Sequence, residues 1–185
     1  MIQDMKNGGT IILNGDDDLL SKMGPVKGVD PVFFGLDRDC EFYASDLVSA
    51  GLTGTACTLH LPSGDDFRCL VPLPGIHMVS NALAGAAVGY SLGLTPEEIK
   101  RGIENLPSIP GRNHIISTDK LVILDDCYNA NPISTNAAID VLTMAIGRKV
   151  AVLGTMGELG NDEEQLHFDT GVYAAKQGIN LVCGV

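Results

Sequence analysis

Apolar residues recur along this chain with two periods, and the switches between them outline its elements. Thr10 to Leu13 form a short apolar run after Gly8-Gly9. They predict a turn, a buried strand and then a polar loop, Asn14 to Asp18, at the strand's carboxyl end. Two strand-like runs, 56–61 and 67–71, flank Pro62-Ser63-Gly64-Asp65-Asp66 and predict a β-hairpin. Pro72-Leu73-Pro74-Gly75 interrupts the second run. From Val79 to Leu92 the residues Val79, Ala82, Leu83, Ala86, Ala87 and Tyr90 then fall at helical spacing, small enough to press a helix onto a sheet. Thr95-Pro96-Glu97-Glu98 has the composition of a capping box with proline at the first helical position, so a second helix should run from Pro96 to about Asn105.

Two prolines and a glycine crowd 106–111, which places a domain boundary at residue 108: one domain over 1–108 and another over 109–185. In the second part, Leu121 to Leu124 is an apolar run ending in Asp125-Asp126, and Asn131-Pro132 suits the start of a helix to about Met144. A strand at 149–153, a helix at about 163–177 and a strand from Leu181 follow. This β-α-β-α-β alternation predicts an α/β fold with a mainly parallel sheet and right-handed crossovers. Ligand sites in such sheets lie beyond the strands' carboxyl ends, where Asp125 to Asn131 and Gly154 to Gly160 fall.

Composition narrows the function. No apolar run is long enough to cross a bilayer, and Met1 to Lys6 have neither the basic flank nor the apolar stretch of a secretory signal, so cytoplasmic residence is the expectation. Five scattered cysteines without a C-x-x-C pair argue against a disulfide framework or a zinc knuckle and read as reduced core residues. A formal charge of −11 opposes a phosphate backbone, so nucleic acid is not an expected partner. A single nucleotide remains compatible, because a few local cations and backbone N–H groups suffice for it. Both chain ends are expected to be cut, the first entering a strand almost at once and the last stopping at one.

Several residues have more than one reading. Asp126, Tyr128, Asn129 and Asn131 concentrate acceptors, amides and an aromatic on one loop; the carboxylate suits ribose hydroxyls or water-bridged magnesium, and Asp126 and Asn131 equally suit capping of loop and helix N–H groups. Arg112 after Pro110-Gly111 suits bidentate phosphate contact or plain surface exposure. His77 and Asn81, near the start of a small-residue helix, suit an anion or a satisfied turn. The Gly154 to Gly160 loop lacks the lysine and hydroxyl of a phosphate loop. His114 and His167 have no companions at metal-ligand spacing, so neither a metal site nor a covalent nucleophile is expected.

Taken in order, 74–84 (Pro-Gly-Ile-His-Met-Val-Ser-Asn-Ala-Leu-Ala), Pro110-Gly111-Arg112, 124–132 and 153–160 resemble the motif series of the Mur ligases, over nearly the whole chain. Tyr128-Asn129-Ala130-Asn131-Pro132 followed by Gly157-Glu158-Leu159-Gly160 looks like the branch that joins D-alanyl-D-alanine to UDP-N-acetylmuramoyl-tripeptide. The resemblance implies the later part of a central ATPase-type domain, then a Rossmann-like C-terminal domain. It also implies ATP and Mg2+ as cofactors and an acyl phosphate as the activated substrate. By motif match it assigns Asn81 to adenine, Arg112 to the phosphates, Asp126 to ribose and His77 to the same nucleotide site. Tyr128, Asn129, Asn131, Glu158 and His167 go to the substrate surface. The phosphate loop, metal ligands and catalytic groups are expected upstream, in a missing N-terminal portion of the same chain. No catalytic residue is therefore assigned here, and the segment alone is expected not to ligate. Met78 stands where the family usually has asparagine, and Thr155 where it usually has aspartate. Two other readings remain: a ligase of the same family adding an amino acid, or glutamate to folate, and a non-catalytic Rossmann-like binding module.

Overall fold

In the computed structural model, β1 (Ile11–Asn14) buries Ile11 and Leu13 and leaves the residues between them half-covered, the period of a strand with one face on a core. The structure describes residues 8–185, so Met1 to Lys6, read above for a signal, lie outside the described residues. β1 is the edge of a five-stranded sheet ordered β1-β2-β3-β4-β5, with β2 at Pro31–Gly35, β3 at Phe42–Ser49, β4 at Thr55–His60 and β5 at Phe67–Val71. The first three strands are parallel; β3-β4-β5 run antiparallel. β4 and β5 are the expected hairpin, with Thr55 opposite Val71 and Cys57 opposite Cys69.

Helix α1 (Ile76–Ser91) lays Val79, Ala82, Leu83, Ala86 and Ala87 against the sheet. Helix α2 (Pro96–Glu104) covers β5 with Ile99 and Ile103. The capping box is formed in full: Thr95 Oγ1 accepts from the Glu98 N–H, and the Glu98 carboxylate accepts from the Thr95 N–H at 2.9 Å. Phe42, Leu59, Val71 and Leu83 are essentially inaccessible, and the Tyr90 ring meets Phe42 edge-on at 5.5 Å. Burying a side chain of this kind contributes roughly 1.5–3 kcal/mol. Gly54, at φ +131°, lies so close to the Val71 carbonyl that a Cβ would sit 2.1 Å from its oxygen, so no other residue fits the entry to β4.

The second part begins with β6 (His114–Ser117) and β7 (Val122–Asp125), an antiparallel hairpin closed by the Thr118–Leu121 turn, in which Thr118 donates to the Leu121 carbonyl from both N–H and Oγ1. α3 (Pro132–Thr143), β8 (Val150–Leu153), α4 (Glu163–Lys176) and β9 (Leu181–Gly184) follow. β8 and β9 pair in parallel as the alternation predicts. β7 differs: its described partner is β6, because a four-residue turn brings that strand back at once and satisfies the β7 ladder locally. Between the helices, Tyr173 donates to Asp140 at 2.6 Å. Cys40, Cys57 and Cys69 are core residues; Cys127 is exposed, contrary to the reading of all five as core.

The chain forms two compact units. One runs through Ser49, Gly54–Pro72 and Ile76–Leu106; the other comprises Ala50–Thr53, Leu73–Gly75 and Pro107–Val185. No helix among the described residues is long and apolar enough to cross a membrane.

Candidate functional site

The second unit gathers three of the singled-out residues, Arg112, Asp126 and Tyr128, around one tight turn. Gly111 adopts φ +76°, and its N–H donates to Asp125 Oδ2 at 2.9 Å while its carbonyl accepts from the Tyr128 N–H at 3.1 Å. A Cβ at Gly111 would lie 3.4 Å from the Tyr128 Cβ, so the turn is set tightly against the loop after β7. The next residue, Arg112, lays its guanidinium over the exposed Tyr128 ring at 3.9 Å from the centroid. Asn113 follows at φ +47°, and its N–H donates to Asp126 Oδ1 at 2.9 Å. Both carboxylates at the end of β7 thus accept a backbone N–H from this turn, which fixes their orientation.

Asp125 is held below the usual carboxylate range by the Cys127 thiol and then by the Gly111 N–H. The same contact, together with the negative charge, pushes the Cys127 thiol up. Asn113, 5% exposed, was not singled out from sequence. Its Nδ2 donates to the Pro74 carbonyl at 2.6 Å, while its Oδ1 is buried with no partner. The signal available was an asparagine directly after Pro-Gly-Arg, since asparagine tolerates the left-handed region better than most residues.

Asn131 caps α3: its Oδ1 accepts from the Ser134 N–H at 2.8 Å, and Ser134 Oγ accepts the Asn131 N–H in return. The capping alternative for Asn131 is therefore realised, while Asn129 stays exposed on the same loop. After β8, Glu158 sits at φ +61° in the exposed loop between Gly157 and Leu159. His167, on α4, faces the buried part of that loop. Its Nδ1 meets the Glu163 carbonyl at 2.8 Å, an acceptor, and so carries the proton; its Nε2 accepts from the Met156 N–H at 2.9 Å. The ring is the neutral Nδ1–H tautomer. Met156, 2% exposed, also receives the Thr135 hydroxyl on its sulfur at 3.6 Å.

His77 and Asn81 lie four residues apart on α1, one turn of the same face, in the first unit. Asn81 is exposed and its Nδ2 approaches the Met78 sulfur at 3.6 Å. Among the described residues no group of three or more His, Cys, Asp or Glu side chains is arranged to hold a metal ion.

The Mur ligase middle domain matches residues 1–89, and the Mur ligase glutamate ligase domain matches residues 111–184. The chain belongs to the Mur ligase family. Within that family it is 44% identical over 133 residues to the UDP-N-acetylmuramoyl-tripeptide--D-alanyl-D-alanine ligase of Escherichia coli (strain K12), a match covering 71% of this chain and 29% of the relative. The enzyme of the same name from Bacillus subtilis (strain 168) is 33% identical over 98% of this chain and 39% of its own length. A crystal structure of MurF from Acinetobacter baumannii superposes with a TM-score of 0.90 at 29% identity, covering 99% of this chain and 40% of that one. The chain thus spans between 29% and 40% of the length of these relatives. Met78, which stands where Mur ligases usually have asparagine, is the residue in contact with Asn81, so the departure bears directly on one candidate nucleotide contact.

Proposed function

We propose that this chain is the nucleotide-gripping portion of a cytoplasmic Mur ligase that joins D-alanyl-D-alanine to UDP-N-acetylmuramoyl-tripeptide. The observation that carries the reading is the Gly111 to Asn113 turn, which sets a guanidinium, an aromatic ring and an oriented carboxylate side by side. That set fits a nucleotide: Arg112 offers planar donors to phosphate oxygens, and Asp126 offers an acceptor to ribose hydroxyls. Tyr128 steadies the guanidinium until an anion claims it. In the other unit, the family resemblance assigns Asn81 to adenine and His77 to the nucleotide.

When bound, ATP supplies the phosphoryl group that turns the tripeptide carboxylate into an acyl phosphate, which the dipeptide amine attacks. The residues in hand contribute positioning and charge. Magnesium fits as an ion that arrives with the phosphates, since it is commonly held by one or two carboxylates plus substrate oxygens. Asn129 and Glu158, exposed on the loops after β7 and β8, form the candidate acceptor surface with Tyr128. Asn131 and His167 act by shaping those loops, through the α3 cap and the Met156 latch. The names of the similar proteins, D-alanyl-D-alanine ligases acting on UDP-N-acetylmuramoyl-tripeptide, favour the dipeptide-adding branch over amino-acid or folate ligases.

The test is ATP-dependent phosphate release in a full-length ligase carrying this segment, with the tripeptide precursor and D-alanyl-D-alanine supplied. Arg112→Ala and Asp126→Ala are each expected to lower kcat/KM for ATP by at least tenfold, about 1.4 kcal/mol or more. Wild-type kinetics in both variants would overturn the assigned roles, and preference for a single amino acid over the dipeptide would overturn the branch.

A further inference from the structure

We propose that Cys57 and Cys69 form a cross-strand dithiol that closes to a disulfide within the folded β4-β5 hairpin when a small disulfide or azo oxidant reaches it. The register places them directly opposite each other on antiparallel neighbours, so their side chains leave the sheet on the same face. Opposed residues in such a ladder hold their Cα atoms roughly 4.5–5.5 Å apart. That lies inside the roughly 4.4–6.8 Å that a disulfide spans without backbone movement. Both side chains belong to the same apolar core, at 0% and 4% exposure, and both are free thiols. The two thiols face each other closely enough to interact, and that contact with burial pushes the Cys69 thiol up.

The exchange can begin at either thiol. Starting from Cys57, its sulfur, once deprotonated, attacks one sulfur of a low-molecular-weight disulfide such as oxidised glutathione and releases one thiolate. Cys69, losing its proton, then attacks the Cys57 sulfur of the mixed disulfide and releases the second. The hairpin loses two hydrogens; a disulfide oxidant gains them as two thiols, and an azo oxidant gains them across its N=N bond as a hydrazine. Burial sets the rate, since the thiols must be reached. β5 is the last strand of its sheet, and edge strands open at lower free energy than central ones. The product ties the two strands across the Pro62-to-Asp66 loop and leaves the nucleotide residues of the other unit chemically untouched.

The folded chain would be incubated with oxidised glutathione or diamide at neutral pH, blocked with an alkylating agent under denaturing conditions, digested and mapped by mass spectrometry. Exposed Cys127 reports in the same sample that the oxidant is active. The expected result is a peptide pair joined through Cys57 and Cys69, lighter by two hydrogens, restored by dithiothreitol and lost in Cys57→Ser and in Cys69→Ser. Recovery of both cysteines alkylated while Cys127 has fully reacted would overturn the proposal, as would either one joined to a different cysteine.

Discussion

The two units hold themselves together by different means. In the first, Phe42, Leu59, Val71, Val79 and Leu83 are at or near zero exposure, and two helices press on one continuous sheet. In the second, strand residues of the same chemical kind remain open, with Val122 at 53% and Val152 at 64%. A smaller buried set there, Ile139, Val141 and Ala174 among it, is supplemented by polar ties: Asn113 to Asp126 and Pro74, Asn131 with Ser134, Tyr173 to Asp140, and His167 to the Met156 backbone. Apolar burial is non-directional and tolerates small shifts, whereas a hydrogen-bond tie fixes an atom in place. The unit carrying most of the candidate ligand residues is the one in which directional ties supplement the smaller apolar core.

Substitutions can break that contrast. The largest effect is expected from Leu83→Ala, which removes a fully buried side chain and should lower stability by about 3 kcal/mol in denaturant unfolding. Val152→Ala, at an open position, should change stability by less than about 0.5 kcal/mol; equal losses for the two would erase the distinction. Asn113→Ala comes next, at about 2 kcal/mol, because it drops the bond to Pro74 and puts alanine into a left-handed backbone. Hydrogen exchange should show the loss in the amides of the second unit, and Asn113→Gly should recover only the backbone part. Thr95→Ala and Asn131→Ala sharpen the picture from the other side, since a capping box is a device both units share; each should cost about 1 kcal/mol by thermal unfolding.

The smallest effect is on pH. Hydrogen bonds from Thr95 hold the Glu98 carboxyl below its ordinary 4.5, and the Cys127 thiol and Gly111 N–H hold Asp125 below 3.8. A carboxyl depressed in the folded state adds stability above its unfolded value and loses it as pH falls through the folded one. Acid titration followed by hydrogen exchange should therefore loosen the α2 start and the Gly111 turn below about pH 4, with no change between pH 6 and 8. Cys127→Ala should lessen the acid response at the turn alone.

Elements with a local signature were readable in the sequence. The hairpin at Pro62 to Asp66, the α2 capping box and the Asn131 start of α3 each state their structure within a few residues. β2 and β3 were not foreseen. β3 breaks its alternation at a bulge between Ser45 and Val48, where Asp46 takes φ +53°, so no period of two survives across it. β6 was missed because four residues beside a proline-glycine turn carry too little pattern. Within the site, Arg112, Asp126 and Tyr128 were legible as chemistry-bearing types, and the structure brings them to one turn. Asn113 was not, since its importance lies in a bond to Pro74, thirty-nine residues away, that no local pattern encodes.

The His167 ring has no lone pair to spare. One nitrogen already gives its proton to a helix carbonyl and the other already takes one from the loop. Any soft cation or acylating reagent that bids for that second nitrogen must first displace the Met156 N–H. In this place imidazole serves as a clasp, and its familiar reactivity is the one thing the fold has removed from circulation.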